Sequence, residues 1–152
     1  MGKCFVFTDD VLAADSKDSQ KTLAYLKERK HELIQVSALS NDSQEENLRQ
    51  LELADYFDFL FSNISLESLN HMFFSNLKRD INYRICQRNP LLWHCKEALW
   101  VEDSHCIIVT DQLKICKQAE GSRWHSIYYD NLESKVVGGH KIKQLSTLTH
   151  IY

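Results

Sequence analysis

The sequence predicts a three-layer α/β fold, in which a parallel β-sheet carries helices on both faces. Short apolar, β-rich runs alternate along the chain with segments whose apolar residues recur at helical spacing. The strand-like runs are apolar throughout rather than at every second residue, the pattern of strands buried on both faces. They also end abruptly in hydroxyl or carboxylate residues, and sheets of this kind hold their ligands at the carboxyl ends of the strands.

The first run, residues 3–8 (KCFVFT), predicts a buried strand. A helix follows over SKDSQKTLAYLKERKH, with Ser16 or Ser19 as its cap and Leu23 and Leu26 facing inward. ELIQVS predicts a second strand, at 33–37, ending in Ser37. In the helical segment after it, Ser43 and Glu46 have capping-box spacing, and Leu48, Leu51 and Ala54 share a face. YFDFLFS predicts a third strand, at 57–61. Residues 64–88 read as helical, with Leu66, Leu69, Met72 and Phe73 as the apolar stripe. Asn89-Pro90 starts another helix carrying Leu92, Trp93 and Leu99, since proline suits the first helical position. Strands at 105–110 and 126–129 flank a helix over QLKICKQAEGS, and Gly138-Gly139 break the tail before IKQLSTLTHIY.

A chain of 152 residues with 43% hydrophobic and 26% charged residues fits one domain, 1–152, with a small insert accommodated within 62–90. The net charge of −3 carries no basic block, so no nucleic-acid signature is present. No apolar stretch is long enough to span a bilayer. MGKCFVF runs straight into a strand pattern without a signal-peptide cleavage site, and Val6 stands where N-myristoylation requires Ser or Thr, so the expected location is cytoplasmic. The five cysteines include no C-x-x-C pair, and Cys4, Cys106 and Cys116 lie in apolar segments, as reduced buried thiols do. His94-Cys95 near Cys86 matches no common zinc spacing. Trp93, Trp100 and Trp124 suit core packing better than a partner surface.

The strand ends therefore gather Thr8-Asp9-Asp10, Ser37, Ser62 and Thr110-Asp111. Asp10 and Asp111 brought together could hold a hard cation such as magnesium, and Ser37 could hydrogen-bond a phosphate oxygen.

In this respect the chain resembles the haloacid dehalogenase superfamily of phosphatases. VFTDDVLAADS resembles that family's first motif, an apolar strand ending in D-x-D, with Thr8 in the place of the nucleophilic aspartate and Asp10 in that of the acid/base aspartate. LIQVS supplies Ser37 for the second motif. CIIVTDQLKICKQAEGSRWHSIYYDN resembles the fourth, with Asp111 at the usual metal ligand and Thr110 replacing its acidic neighbour. Lys78 (in NLKRD) and Arg88 (in CQRNP) are the candidates for the basic residue of the third. WVEDS at 100–104 is set aside, because the following helix and strand align on Asp111.

The resemblance implies a Rossmann-like fold, and the spacing from Thr8 to Ser37 leaves no room for a large cap between them. It also implies Thr8 and Asp10 as catalytic positions, Ser37 with Lys78 or Arg88 as phosphate-binding, and Asp10 and Asp111 as metal ligands. Magnesium binding is expected to be weak or absent, because Thr8 removes a carboxylate ligand and is a poor nucleophile without a strong base. The leading expectation is a catalytically impaired protein that acts by binding a protein partner or a phosphorylated ligand. The alternatives are a magnesium-dependent phosphomonoesterase and a structural or oligomeric subunit; the sequence does not decide the oligomeric state. For the fold, the sequence predicts at least five parallel strands, and more than two antiparallel pairings among them would refute it.

Overall fold

Packing of the apolar runs into a single sheet is the main feature of the computed structural model, which describes residues 3–62, 106–121, 124–130 and 140–152. In chain order the elements are β1 (Cys4–Thr8), α1 (Asp9–Ala13), α2 (Ser16–Glu28), β2 (Glu32–Val36), α3 (Asn41–Gln50), β3 (Phe59–Phe61), β4 (Cys106–Thr110), α4 (Leu113–Gly121), β5 (His125–Tyr129), β6 (His140–Ile142) and α5 (Leu148–Ile151). Single 3-10 turns lie at Ala54–Tyr56 and Leu145–Thr147. The helices expected over 64–88 and after Asn89-Pro90 lie outside the described residues, as do the insert within 62–90, Trp93 and Trp100.

The sheet has six strands in the order β3-β2-β1-β4-β5-β6, and every pairing is parallel. Five strands fall where the sequence predicts them, to within two residues at their ends. The sixth, β6, lies in the segment read as a tail; three residues are too few to show a period. β3 begins later than expected because Asp58 is used otherwise: its carboxylate accepts from the Leu33 N–H at 2.8 Å and pairs with Lys27 at 2.7 Å.

Alternation along the strands assigns the two faces. Phe5, Phe7, Leu33, Ile107, Val109 and Ile127 join Leu23 and Leu26 of α2, Leu48 of α3, and Leu145 and Leu148 in one buried cluster. Ser126, which points opposite to Ile127, donates to Glu120 of α4 at 2.8 Å, so α4 covers the other face. Trp124 is buried, and Cys4, Cys106 and Cys116 are buried and form no disulfide. Between β1 and β2 the chain holds only α1 and α2, with no inserted cap. No described helix is long and apolar enough to cross a membrane.

The helix caps differ from those expected. Asp15, not Ser16 or Ser19, caps α2, accepting from the Asp18 N–H at 3.2 Å; the Ser19 hydroxyl instead donates to the Leu12 carbonyl at 2.9 Å. Ser40 caps α3 by accepting from the Ser43 N–H, so the Ser43–Glu46 spacing is not used as a box. In both cases a residue with extended backbone just before the first turn wins over a hydroxyl already inside the helix.

Helix α2 closes with the His31 N–H bonded to the Leu26 carbonyl. The His31 ring then stands edge-on to Phe5 at 5.2 Å, and its Nδ1 accepts from the Lys3 N–H at 2.9 Å. Burial lowers the His31 pKa, and the charges of Lys3 and Arg29 lower it further. The folded state therefore binds this proton less readily than the unfolded chain. Stability is full above the ordinary histidine value of about 6.5 and falls as pH drops below it. Thermal unfolding at pH 7.5 and 5.5 should show a larger loss for wild type than for His31→Asn, whose Oδ1 can take the same backbone N–H without titrating.

Candidate functional site at the carboxyl ends of β1, β2 and β4

The sheet order reverses direction at β1: β2 and β3 extend to one side, and β4, β5 and β6 to the other. At such a switch point the connections leave in opposite directions and open a crevice above the strand ends. β1 and β4 are in register there, from Cys4 beside Cys106 to Phe7 beside Val109.

Thr8 closes β1 with extended backbone and precedes α1 without giving it a side-chain cap. Its hydroxyl donates to the Thr110 Oγ1 at 3.4 Å, a long and hence weak bond, and the Thr110 Oγ1 also accepts from the Gln112 N–H at 3.2 Å. Thr8 and Thr110 are both 0% exposed. The two threonines at the expected acidic positions thus satisfy each other beneath the surface of the crevice.

Asp9 turns the other way, toward β2. Its carboxylate accepts from the Gln35 Nε2 at 2.8 Å, from the Ser37 Oγ at 2.7 Å and from the Ala38 backbone N–H. Burial raises the Asp9 pKa, the bonds from Ser37 and Ala38 pull it back, and the charge of Asp10 adds to the rise. Ser37 is buried, and its oxygen also accepts from the Leu39 N–H at 3.1 Å. Behind it, the fully buried Gln44 of α3 donates to the Gln35 Oε1 at 3.0 Å. A polar chain thus runs from α3 through β2 to the first residue of α1.

Asp10 is exposed. Asp111 is half-buried, and burial raises its pKa, with the charge of Asp10 as the next cause. Asp10 therefore lies within electrostatic reach of both Asp9 and Asp111. As a magnesium site, Asp10 and Asp111 offer hard oxygen ligands that a cation would relieve of mutual repulsion. Thr8 adds no anionic ligand, Asp9 is engaged by β2, and no three His, Cys, Asp or Glu side chains among the described residues group to hold a metal. The donor set fits a weakly held cation. Lys78 and Arg88 lie outside the described residues.

Sequence reasoning placed Asp9 at the strand ends and as the nucleophile of the alternative phosphomonoesterase, but it passed over Gln35 and the bonds that hold Asp9 to β2. The signal was present: Gln35 is a polar residue inside an apolar strand, and its i, i+2 spacing to Ser37 puts both side chains on one face.

No protein-family model matches the sequence, and no curated protein matches it. Solved structures do match in fold. The core domain of a protein assigned as a phosphoglycolate phosphatase from Streptococcus pneumoniae superposes with a TM-score of 0.64 at 16% identity, over 99% of this chain and 95% of that one. A HAD-superfamily hydrolase of subfamily IA from Geobacter sulfurreducens gives 0.63 at 11% identity, with 100% of each chain covered. A protein assigned as a HAD-hydrolase from Bacillus subtilis, bound to magnesium, gives 0.66 at 16% identity, over 89% of this chain but only 54% of that one. The chain has the haloacid dehalogenase-like fold.

If the Asp9–Gln35–Gln44 chain organises the site, Gln35→Leu removes a donor to Asp9 and a good acceptor for Gln44. Chemical unfolding should show a loss of about 1–3 kcal/mol, the range for stranding buried polar partners. The exposed Gln112→Ala should stay within about 0.5 kcal/mol of wild type.

Proposed function

We propose that this protein uses a haloacid dehalogenase-like scaffold for binding and has lost the aspartyl-phosphate chemistry associated with it. The observation that carries the reading is Thr8, which is sealed from solvent and hydrogen-bonded to Thr110. A hydroxyl becomes an effective nucleophile only when a base takes its proton. The group bonded to Thr8 is a second hydroxyl.

The neighbouring acid offers little substitute. Asp9 has its lone pairs engaged by Gln35, Ser37 and Ala38, which lowers its nucleophilicity. Asp10 and Asp111 would hold magnesium where it is bound, and the ion would supply charge neutralisation between them. Cys4, Cys106 and Cys116, buried and outside any disulfide, support a reducing, cytoplasmic setting. The rival reading, a magnesium-dependent phosphomonoesterase, is favoured by one observation: the charge of Asp10 reaches both Asp9 and Asp111 at the strand ends.

A generic phosphomonoester with magnesium separates the two readings. The expected result is turnover no higher for wild type than for Asp10→Asn; clear turnover that Asp10→Asn abolishes overturns the binding reading. A second measurement addresses residue 8. Thr8→Asp places a carboxylate at a fully buried position near Asp10 and Asp111, so the variant should unfold at lower temperature than wild type in chelator. Magnesium should raise its midpoint more than that of wild type, because the added ligand makes the ion prefer the folded state. Equal shifts would mean that residue 8 does not face the metal.

A further inference from the structure

Asp9 is bound the way a small oxyanion is bound. One of its oxygens takes the Ser37 hydroxyl at 2.7 Å, the other takes the Gln35 amide at 2.8 Å, and the Ala38 backbone N–H adds a third donor. These donors belong to β2 and the turn after it, where the Leu39 N–H donating to the Ser37 Oγ fixes the hydroxyl's direction. Gln35 is itself held by Gln44 from α3. A preorganised set of a hydroxyl, a side-chain amide and a main-chain N–H would suit a phosphoryl or sulfuryl oxygen. Here the anion is supplied by the chain itself, from the first residue of the helix that follows β1.

We propose that Asp9 is a built-in occupant of this donor cradle and closes it to external oxyanions. This deepens the binding role proposed above and rests on the same site. It adds that, with Asp9 in place, the cradle of β2 does not serve a phosphorylated ligand, which turns the binding role toward a protein partner. Two features make the occupancy stable. The carboxylate is tethered one residue from β1, so its effective concentration at the cradle is far above that of a free anion. Ser37 and Gln35 are each about 1% exposed, so an anion arriving from solvent would have to displace a contact already made in the interior. Asp10, exposed beside it, repels that anion as well.

The test is a titration of inorganic phosphate at constant magnesium, followed by phosphorus NMR, on wild type, Asp9→Ala, Asp9→Ser, Ser37→Ala and the Asp9→Ala/Ser37→Ala double variant. Thermal unfolding confirms that each is folded. Removing the tethered carboxylate should tighten phosphate binding by at least about tenfold, a change of about 1.4 kcal/mol. The serine variant should move in the same direction, and the double variant should return to the wild-type level. In the wild-type background Ser37→Ala should leave phosphate binding unchanged, since Asp9 already holds that hydroxyl. A folded Asp9 variant that binds phosphate no better than wild type overturns the proposal, and so does tightening that survives loss of Ser37. Should neither Asp9 variant fold, weaker phosphate binding by Ser37→Ala than by wild type overturns it, because the cradle would then be open. None of these outcomes depends on turnover, so failure here and failure of the binding reading remain distinct.

Discussion

The central position of β1 constrains everything around it. It lies between β2 and β4, covered on both faces, and its residues from Cys4 to Thr8 are at most 3% exposed. An ionised side chain within that strand would lose its hydration without recovering it. The first residue that can carry charge is the one at which the chain leaves the sheet, Asp9. The abrupt change from CFVF to TDD is therefore a physical requirement of a strand buried on both sides. The parallel register carries the same requirement to β4, where Thr110 ends the buried run and Asp111 begins the polar one.

Within that constraint the site's polar groups fall into two closed sets. Thr8 and Thr110 answer each other across β1 and β4, while Asp9 is answered by Gln35, Ser37 and Ala38 across β1 and β2. A carboxylate at Thr8's fully buried position would need a cation or further donors to be tolerated. A hydroxyl needs only one partner, and it has one. The two threonines are thus mutually consistent, each giving the other a partner that requires no metal. Buried polar groups are costly unless paired; here the groups at the strand ends are paired, while the Gln44 Oε1 behind them has no hydrogen-bond partner among the described residues.

How far the sequence foretold this differs from residue to residue. β1 and β4 were legible because a strand buried on both faces must be apolar at nearly every position, and β2 and β5 because each keeps a short apolar core between helical segments. β6 was not, since His140–Ile142 is short, preceded by Gly138-Gly139 and followed by Lys143-Gln144, and only its parallel pairing with β5 defines it. The caps were misplaced because Ser, Thr and Asp all suit a helix start, and the choice depends on which residue takes extended backbone. At the site, the carboxyl-end location followed from the alternation of strands and helices. The partners of Asp9 did not, because which of two consecutive acids turns inward depends on how α1 leaves the sheet.

That division between the two acids shapes what an approaching molecule meets. Asp9 is half-buried and its lone pairs are engaged, so its charge is spread over the donors of β2. Asp10 keeps its charge in solvent, and Asp111 stands half-buried beside it at the head of the β4 connection. Among the described residues the donors of β2 hold Asp9, while the carboxylates of Asp10 and Asp111 are the more open acceptors. Ala38 and Leu39, both exposed, follow directly from the turn that Ser37 fixes, so apolar surface borders the acidic rim. On the binding role proposed above, a surface with acceptors at its centre and a leucine at its edge would complement a donor-rich, partly apolar partner better than a second anion. The same bonds that hold Asp9 in place therefore set the polarity of the crevice.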